Sequence, residues 1–140
     1  MKLPRYVKAQ PAWWKLFPFL QQYSGNTIYP YIYLRKDIYD RLREKSFFPQ
    51  GMSILNHEEC HIRQHKKYGV ISYRIRYLLS PKFRIQQELE AYTETMRVLK
   101  ANKLSFDVEK IAQCLSGWMY LWAVSCSDAK TVLEKTWRQV

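Results

Sequence analysis

A chain of 140 residues is long enough for one domain with an apolar core and too short for two. Hydrophobic residues make up 47% of it and charged residues 25%, which excludes an intrinsically disordered chain; with 4 glycines it also lacks the turn punctuation of an all-β fold. The formal charge of +11 favours anionic partners, nucleic acid or a membrane surface, but the basic residues are scattered from Arg35 to Arg84, as on solvated helix faces.

In chain order, residues 1–23 carry Pro4, Pro11 and Pro18 among Trp13, Trp14, Phe17 and Phe19. This predicts an extended arm that packs its aromatics on the domain or on a partner. A turn at Ser24-Gly25-Asn26 precedes a β-branched and aromatic run from Thr27 to Leu34, where Pro30 confines the strand to a sheet edge. Asp37 can cap a short helix through about Lys45, and Phe47-Phe48-Pro49-Gln50-Gly51 breaks the chain. A helix then runs from about Ser53 to Tyr68, stopped by Gly69. Val70 to Leu79 fits helix or strand, helix being preferred. Pro81 opens a helix from about Lys82 to Ala101. Asp107 caps another, with Val108, Ile111, Ala112, Leu115, Trp118, Met119 and Trp122 at helical spacing. Ser127 or Asp128 opens the last, to about Arg138. Trp118, Trp122 and Trp137 are expected in the core. The expected fold is α+β and predominantly α: one domain over 1–140 with a small edge-strand sheet.

Cys60, Cys114 and Cys126 are odd in number and lack CxxC spacing, so reduced, buried thiols in a cytoplasmic setting are expected. No signal-peptide pattern opens the chain. Lys15 and Pro18 interrupt Ala12 to Leu20, and the apolar window Ile111 to Cys126, holding Gln113 and Gly117, is too short to span a bilayer. A location peripheral to a membrane stays open, and the oligomeric state is not given.

The chemistry-bearing run is His57-Glu58-Glu59-Cys60-His61, an HExxH pattern. Residues four apart on a helix differ by roughly 40° in direction, so both imidazoles can share one metal ion. Glu58, one step on, comes close without being a ligand and can take a proton from water polarised by zinc. A catalytic zinc site needs a third protein ligand. His65 is turned by roughly 80° from His57 and reads as a surface or outer-layer histidine. No histidine follows it, so a carboxylate is expected. On the helix 82–101 the core stripe is Ile85, Leu89, Tyr92, Met96 and Leu99. Glu88 lies roughly 60° from its centre, Glu90 roughly 140°, and Glu94 roughly opposite. Only Glu88 can reach a metal held by a neighbouring helix; the bland alternative pairs it with Arg84 on a helix boundary.

With His57-Glu58-x-x-His61 followed by Glu88-Leu89-Glu90-Ala91-Tyr92, the chain over residues 27–101 resembles the gluzincin group of zincin metallopeptidases, and in size it is similar to minigluzincins and to the catalytic core of membrane-associated gluzincins. The resemblance implies a zincin-like fold in which the HExxH helix packs against a glutamate-bearing helix. It implies Zn2+ held by His57, His61 and Glu88, with Glu58 as catalytic base. It also implies a peptide or protein substrate lying as an added strand beside Ile28 to Leu34. Tyr92 departs from the pattern, standing where an acidic residue often orients a zinc-bound histidine, so that support must come from elsewhere. Tyr68, Tyr73, Arg76 and Tyr77 are candidates for the oxyanion partner by proximity in sequence. The rival reading is a non-catalytic zincin-like or basic helical module binding nucleic acid or an anionic surface.

Overall fold

Pro30 does not lie within a strand. In the computed structural model, which describes residues 2–21, 23–44 and 47–140, the run expected as one edge strand is a hairpin. Strand β2 (Gly25–Ile28) pairs antiparallel with β3 (Tyr31–Leu34), and Tyr29 and Pro30 make the turn. A turn tolerates the missing N–H as well as an edge does. Gly25, expected in a turn, opens β2 instead. The proline-rich arm also contributes to the sheet, since β1 (Val7–Ala9) pairs parallel with β3. The sheet order is β1-β3-β2, which makes β3 central and leaves an open edge on β2. A single turn of helix, α1 (Pro18–Gln21), follows a 3-10 turn at Ala12–Leu16.

Helix α2 (Lys36–Arg43) is preceded by Arg35 at its cap position, whose guanidinium binds Asp37 in the first turn at 2.6 Å. Asp37 is therefore held by an ion pair rather than serving as the cap; the expected end near Lys45 lies outside the described residues. Helix α3 (Pro49–Tyr68) starts a turn earlier than expected. Pro49 is accepted at the first position because the N–H there has no intrahelical partner. Gly51 is required by close approach: a Cβ there would lie 2.5 Å from the Phe48 ring. Gly69, at φ 80°, ends α3 and starts α4 (Val70–Leu79). Ser80 accepts from the Phe83 N–H and caps α5 (Pro81–Ala101).

Beyond α5 the expectation of one long helix fails. α6 (Val108–Leu115), capped by Asp107, ends before Gly117, and a 3-10 turn covers Trp118–Tyr120. Leu121 and Trp122 follow at φ 53° and 48°, a left-handed conformation costing about 1–2 kcal/mol per residue. The break turns Trp118 and Trp122 outward, at 54% and 72% exposure, so neither is core. Trp137, on α7 (Cys126–Gln139, capped by Ser125), does pack inward, stacked on Phe106.

Two apolar clusters result. One joins the sheet to α2 and α3 through Val7, Ile32, Leu34, Ile38, Leu42, Leu55 and Ile62. The other gathers Met96 and Leu99 of α5 with Ala112, Leu115, Ala129 and Leu133. α5 separates them. Its expected stripe packs on the second cluster, while Arg84, Gln87, Glu88 and Ala91 are also buried and Glu88 and Thr95 meet α3. The buried face is thus wider than the apolar pattern indicates, because polar residues fill the α3–α5 contact. The fold is α+β and predominantly helical, with the His57-bearing helix packed against the Glu88-bearing helix. Among the described residues no helix is long and apolar enough to cross a membrane.

Candidate metal centre

α3 and α5 bring three electron-pair donors together. His57 Nε2 lies 3.2 Å from His61 Nε2. Glu88 Oε2 stands 3.8 Å from His57 Nε2, and Oε1 3.7 Å from His61 Nε2. Donors held about 2.0–2.2 Å from one tetrahedral ion are roughly 3.3–3.6 Å apart, so the two imidazoles would part slightly and Glu88 would draw in slightly.

Hydrogen bonding decides what the site can accept. His61 Nδ1 meets the Gln64 side-chain oxygen at 2.8 Å. That amide is oriented by its own N–H groups, which donate to the Gln87 carbonyl and to Glu90 Oε2, each at 3.0 Å. His61 Nδ1 must then carry the proton, leaving Nε2 with a bare lone pair. Thr95 Oγ1 donates to the Ser53 carbonyl and lies 3.4 Å from His57 Nδ1, which favours the same tautomer for His57. Glu88 is 2% exposed, and its Oε2 has no hydrogen-bond partner. Three acceptors converge with no proton among them, in a place where an unpaired polar atom is costly. This donor set could hold a metal cation. Burial and the neighbouring His61 hold His57 well below its ordinary pKa, keeping the imidazole neutral, as metal binding requires.

Glu58 takes no part in the triad. It is buried against β2, where Thr27 Oγ1 donates to its Oε2 at 2.7 Å. Room for the carboxylate exists because residue 25 is glycine: a Cβ there would stand 2.9 Å from Glu58 Cγ and 3.0 Å from Oε1. Burial raises the pKa of Glu58, opposed by His61 and by the Thr27 hydrogen bond.

No family model matches the chain, and no curated protein or solved structure does either. What the centre can do has to be read from its own atoms.

His65 is not part of the donor group, as the helix geometry required. It is buried rather than on the surface, however. Its Nδ1 bonds the His61 carbonyl at 2.8 Å, and its ring lies between Tyr29 and Tyr73. Glu90 and Glu94 stay away from the donors, Glu94 pairing with Arg97 at 2.8 Å. The Arg84–Glu88 pairing does not form. The Arg84 guanidinium donates instead to the carbonyls of Leu78 and Tyr120, at 2.7 and 3.0 Å. Tyr92, in place of an acidic residue, sets its ring edgewise against His57.

A cavity of about 1110 Å³ opens onto the donors; Thr27, Glu58, Tyr73, Tyr77 and Tyr120 are in its wall. Of the four oxyanion candidates, Tyr68 and Arg76 are not in that wall. Tyr73 donates to the Gln64 side chain at 3.0 Å, and Tyr77 makes a short hydrogen bond to Glu88 Oε1. Gly25, Thr27, Gln64 and Thr95 are the site residues that sequence reasoning missed, and Tyr77, expected as an oxyanion candidate, binds the Glu88 carboxylate instead. Of the thiols only Cys60 is buried, with its pKa pushed up by burial to about 11. Cys114 is exposed and Cys126 half-buried, because α6 and α7 turn other residues inward.

Proposed function

We propose that the chain is a zinc-dependent peptidase of the gluzincin type, with His57, His61 and Glu88 holding the ion and Glu58 moving the proton. The observation that carries this is the pair of bare imidazole nitrogens facing a partnerless buried carboxylate oxygen, with a second buried carboxylate beside them in an open cavity. A donor set of two nitrogens and a carboxylate suits zinc, and three protein ligands leave the open position of a catalytic rather than a structural site. When bound there, zinc supplies a Lewis acid that polarises a carbonyl and brings the pKa of water to about 7. The remaining steps belong to the chain. Glu58, its pKa raised by burial, accepts a proton from the attacking water and delivers it to the leaving amine. Thr27 holds that carboxylate on the cavity side of β2. An extended peptide would add beside β2, whose edge is open, rather than beside β3, which is paired on both sides.

The test is metal analysis with peptide-library hydrolysis. One zinc per chain is expected, lost in His57→Ala and kept in Glu58→Gln, which should cleave about 10²–10⁴-fold more slowly. Purified protein without stoichiometric metal would sink the reading. Retention on heparin that is salt-sensitive and indifferent to chelator, with no hydrolysis, would favour the basic-module alternative.

A further inference from the structure

Helix α4 is apolar on two sides. Tyr73 and Tyr77 face inward to the cavity. On the other side Ile71, Ile75, Leu78 and Leu79 are all exposed, Ile71 at 76% and Leu79 at 74%. These four span an arc of roughly 100° on the helical wheel, and Arg74 and Arg76 stand roughly 40° and 60° outside its two margins. Both arginines are exposed, as are Lys67 and Lys82 beyond the helix ends. An aliphatic arc bordered by guanidinium groups is the pattern of a helix lying in a membrane interface.

The surface extends past α4. One guanidinium, that of Arg84, binds the carbonyls of both Leu78 and Tyr120, so the end of α4 and the 118–122 segment are adjacent. Leu78, Trp118 and Leu121 line the same cavity while each is half exposed or more, which places them on its rim. Trp122 stands beside them, thrust outward by consecutive left-handed residues. We propose that the outer face of α4, with Trp118, Leu121 and Trp122, seats on an anionic lipid bilayer, so that the cavity opens at the headgroup level.

Charge selects this occupant. A second copy docked face to face would set Arg74 and Arg76 against their counterparts, in chains of formal charge +11, which like-charge repulsion opposes. Nucleic acid would satisfy the arginines but gives the aliphatic arc nothing to bury against. An anionic leaflet satisfies both: guanidinium groups meet phosphates, aliphatic chains enter the acyl boundary, and tryptophans sit at the interface.

The proposal is independent of the hydrolytic reading, because its readout is partition rather than turnover. The full-length protein is sedimented with vesicles of phosphatidylcholine and phosphatidylglycerol, and with pure phosphatidylcholine. Binding to the anionic vesicles alone, weakened by salt, is expected. Tryptophan emission should be quenched by brominated lipid. Ile71→Ser/Ile75→Ser/Leu79→Ser should weaken partition by about tenfold or more, and Arg74→Gln/Arg76→Gln by roughly fivefold per arginine; circular dichroism checks that each variant is folded. Trp13→Ser/Leu16→Ser, on the N-terminal segment, should leave partition unchanged. The proposal is overturned if the wild type ignores anionic vesicles, or if the N-terminal pair carries the binding. A dimer in light scattering that the α4 triple variant converts to monomer also overturns it.

Discussion

His57 and His61 point their Nε2 atoms at each other across 3.2 Å, with no hydrogen between them while Gln64 and Thr95 accept from protonated Nδ1 atoms. A cation would relieve the repulsion of two lone pairs this close, and the first prediction follows. Zinc at about a thousand times its dissociation constant should add about 4 kcal/mol to unfolding, seen as a fall in Tm on chelation. Glu88→Gln, which keeps the shape and removes the charge, should abolish most of that shift.

Tyr77 tests the support of the third donor. Tyr77→Phe removes the hydroxyl that binds Glu88 Oε1 and leaves a buried carboxylate less well paired. A stability loss of about 1–3 kcal/mol in metal-free protein is expected, with metal affinity reduced about 10–100-fold. Chemical denaturation and competition with a zinc chelator read the two effects separately. Unchanged affinity would show that Glu88 is positioned by α5 alone.

Thr27 should set the acid limb of the pH–rate profile. Its hydroxyl stabilises the charged form of Glu58 and so opposes the upward push of burial. Thr27→Val should raise the Glu58 pKa further and move the acid limb of kcat/KM to higher pH, with bound zinc unchanged. A limb that stays in place would assign it to another group.

Gly25→Ala bears on the same carboxylate. The new methyl would meet Glu58 and Ile54 at about 3.0 Å, so one of them must move. Overpacking of this kind costs typically about 1–3 kcal/mol, and hydrolysis should fall by a larger factor than zinc content, since the proton carrier is displaced and the donors are not.

The stability of metal-free protein should depend on pH through two opposing groups. His57 is depressed below its ordinary 6.5, so its contribution is full above that value and is lost as pH falls towards the folded pKa. Glu58 is raised above 4.5, so its contribution is full below 4.5 and is lost as pH rises through the folded pKa. Glu58→Gln removes the second term. Its unfolding free energy should therefore fall more steeply than that of the wild type as pH drops from 6.5 towards 4.5, the ordinary values of the two groups.

What was legible in the chain divides along physical lines. His57, His61 and Glu88 could be found because helix periodicity converts spacing into direction, and the cap at Asp107 and the stop at Gly69 are local chemistry. Thr27, Gln64 and Thr95 could not, nor could the contact of Tyr77 with Glu88. Each acts through a partner on another element or through an amide orientation that only the folded network decides. Pro30 was misplaced because a proline is equally at home in an edge strand and a turn. Trp118 and Trp122 had the right period for a core helix, and left-handed backbone at Leu121 and Trp122 overrode it.

α5 is enclosed on most of its circumference, by α3 on one side and the α6–α7 pair on another, and its exposed positions between the two end residues are few: Lys82, Gln86, Glu90, Arg97 and Lys100. Glu90 is tied to Gln64. Genetic drift along this helix is thereby confined to a stripe about one residue wide. Homologues too diverged for overall similarity to register should still vary there and stay conservative elsewhere. A deep mutational scan would display the same stripe as an island of tolerance recurring about every four residues, and it is by that rhythm that lost cousins of this chain could be recognised.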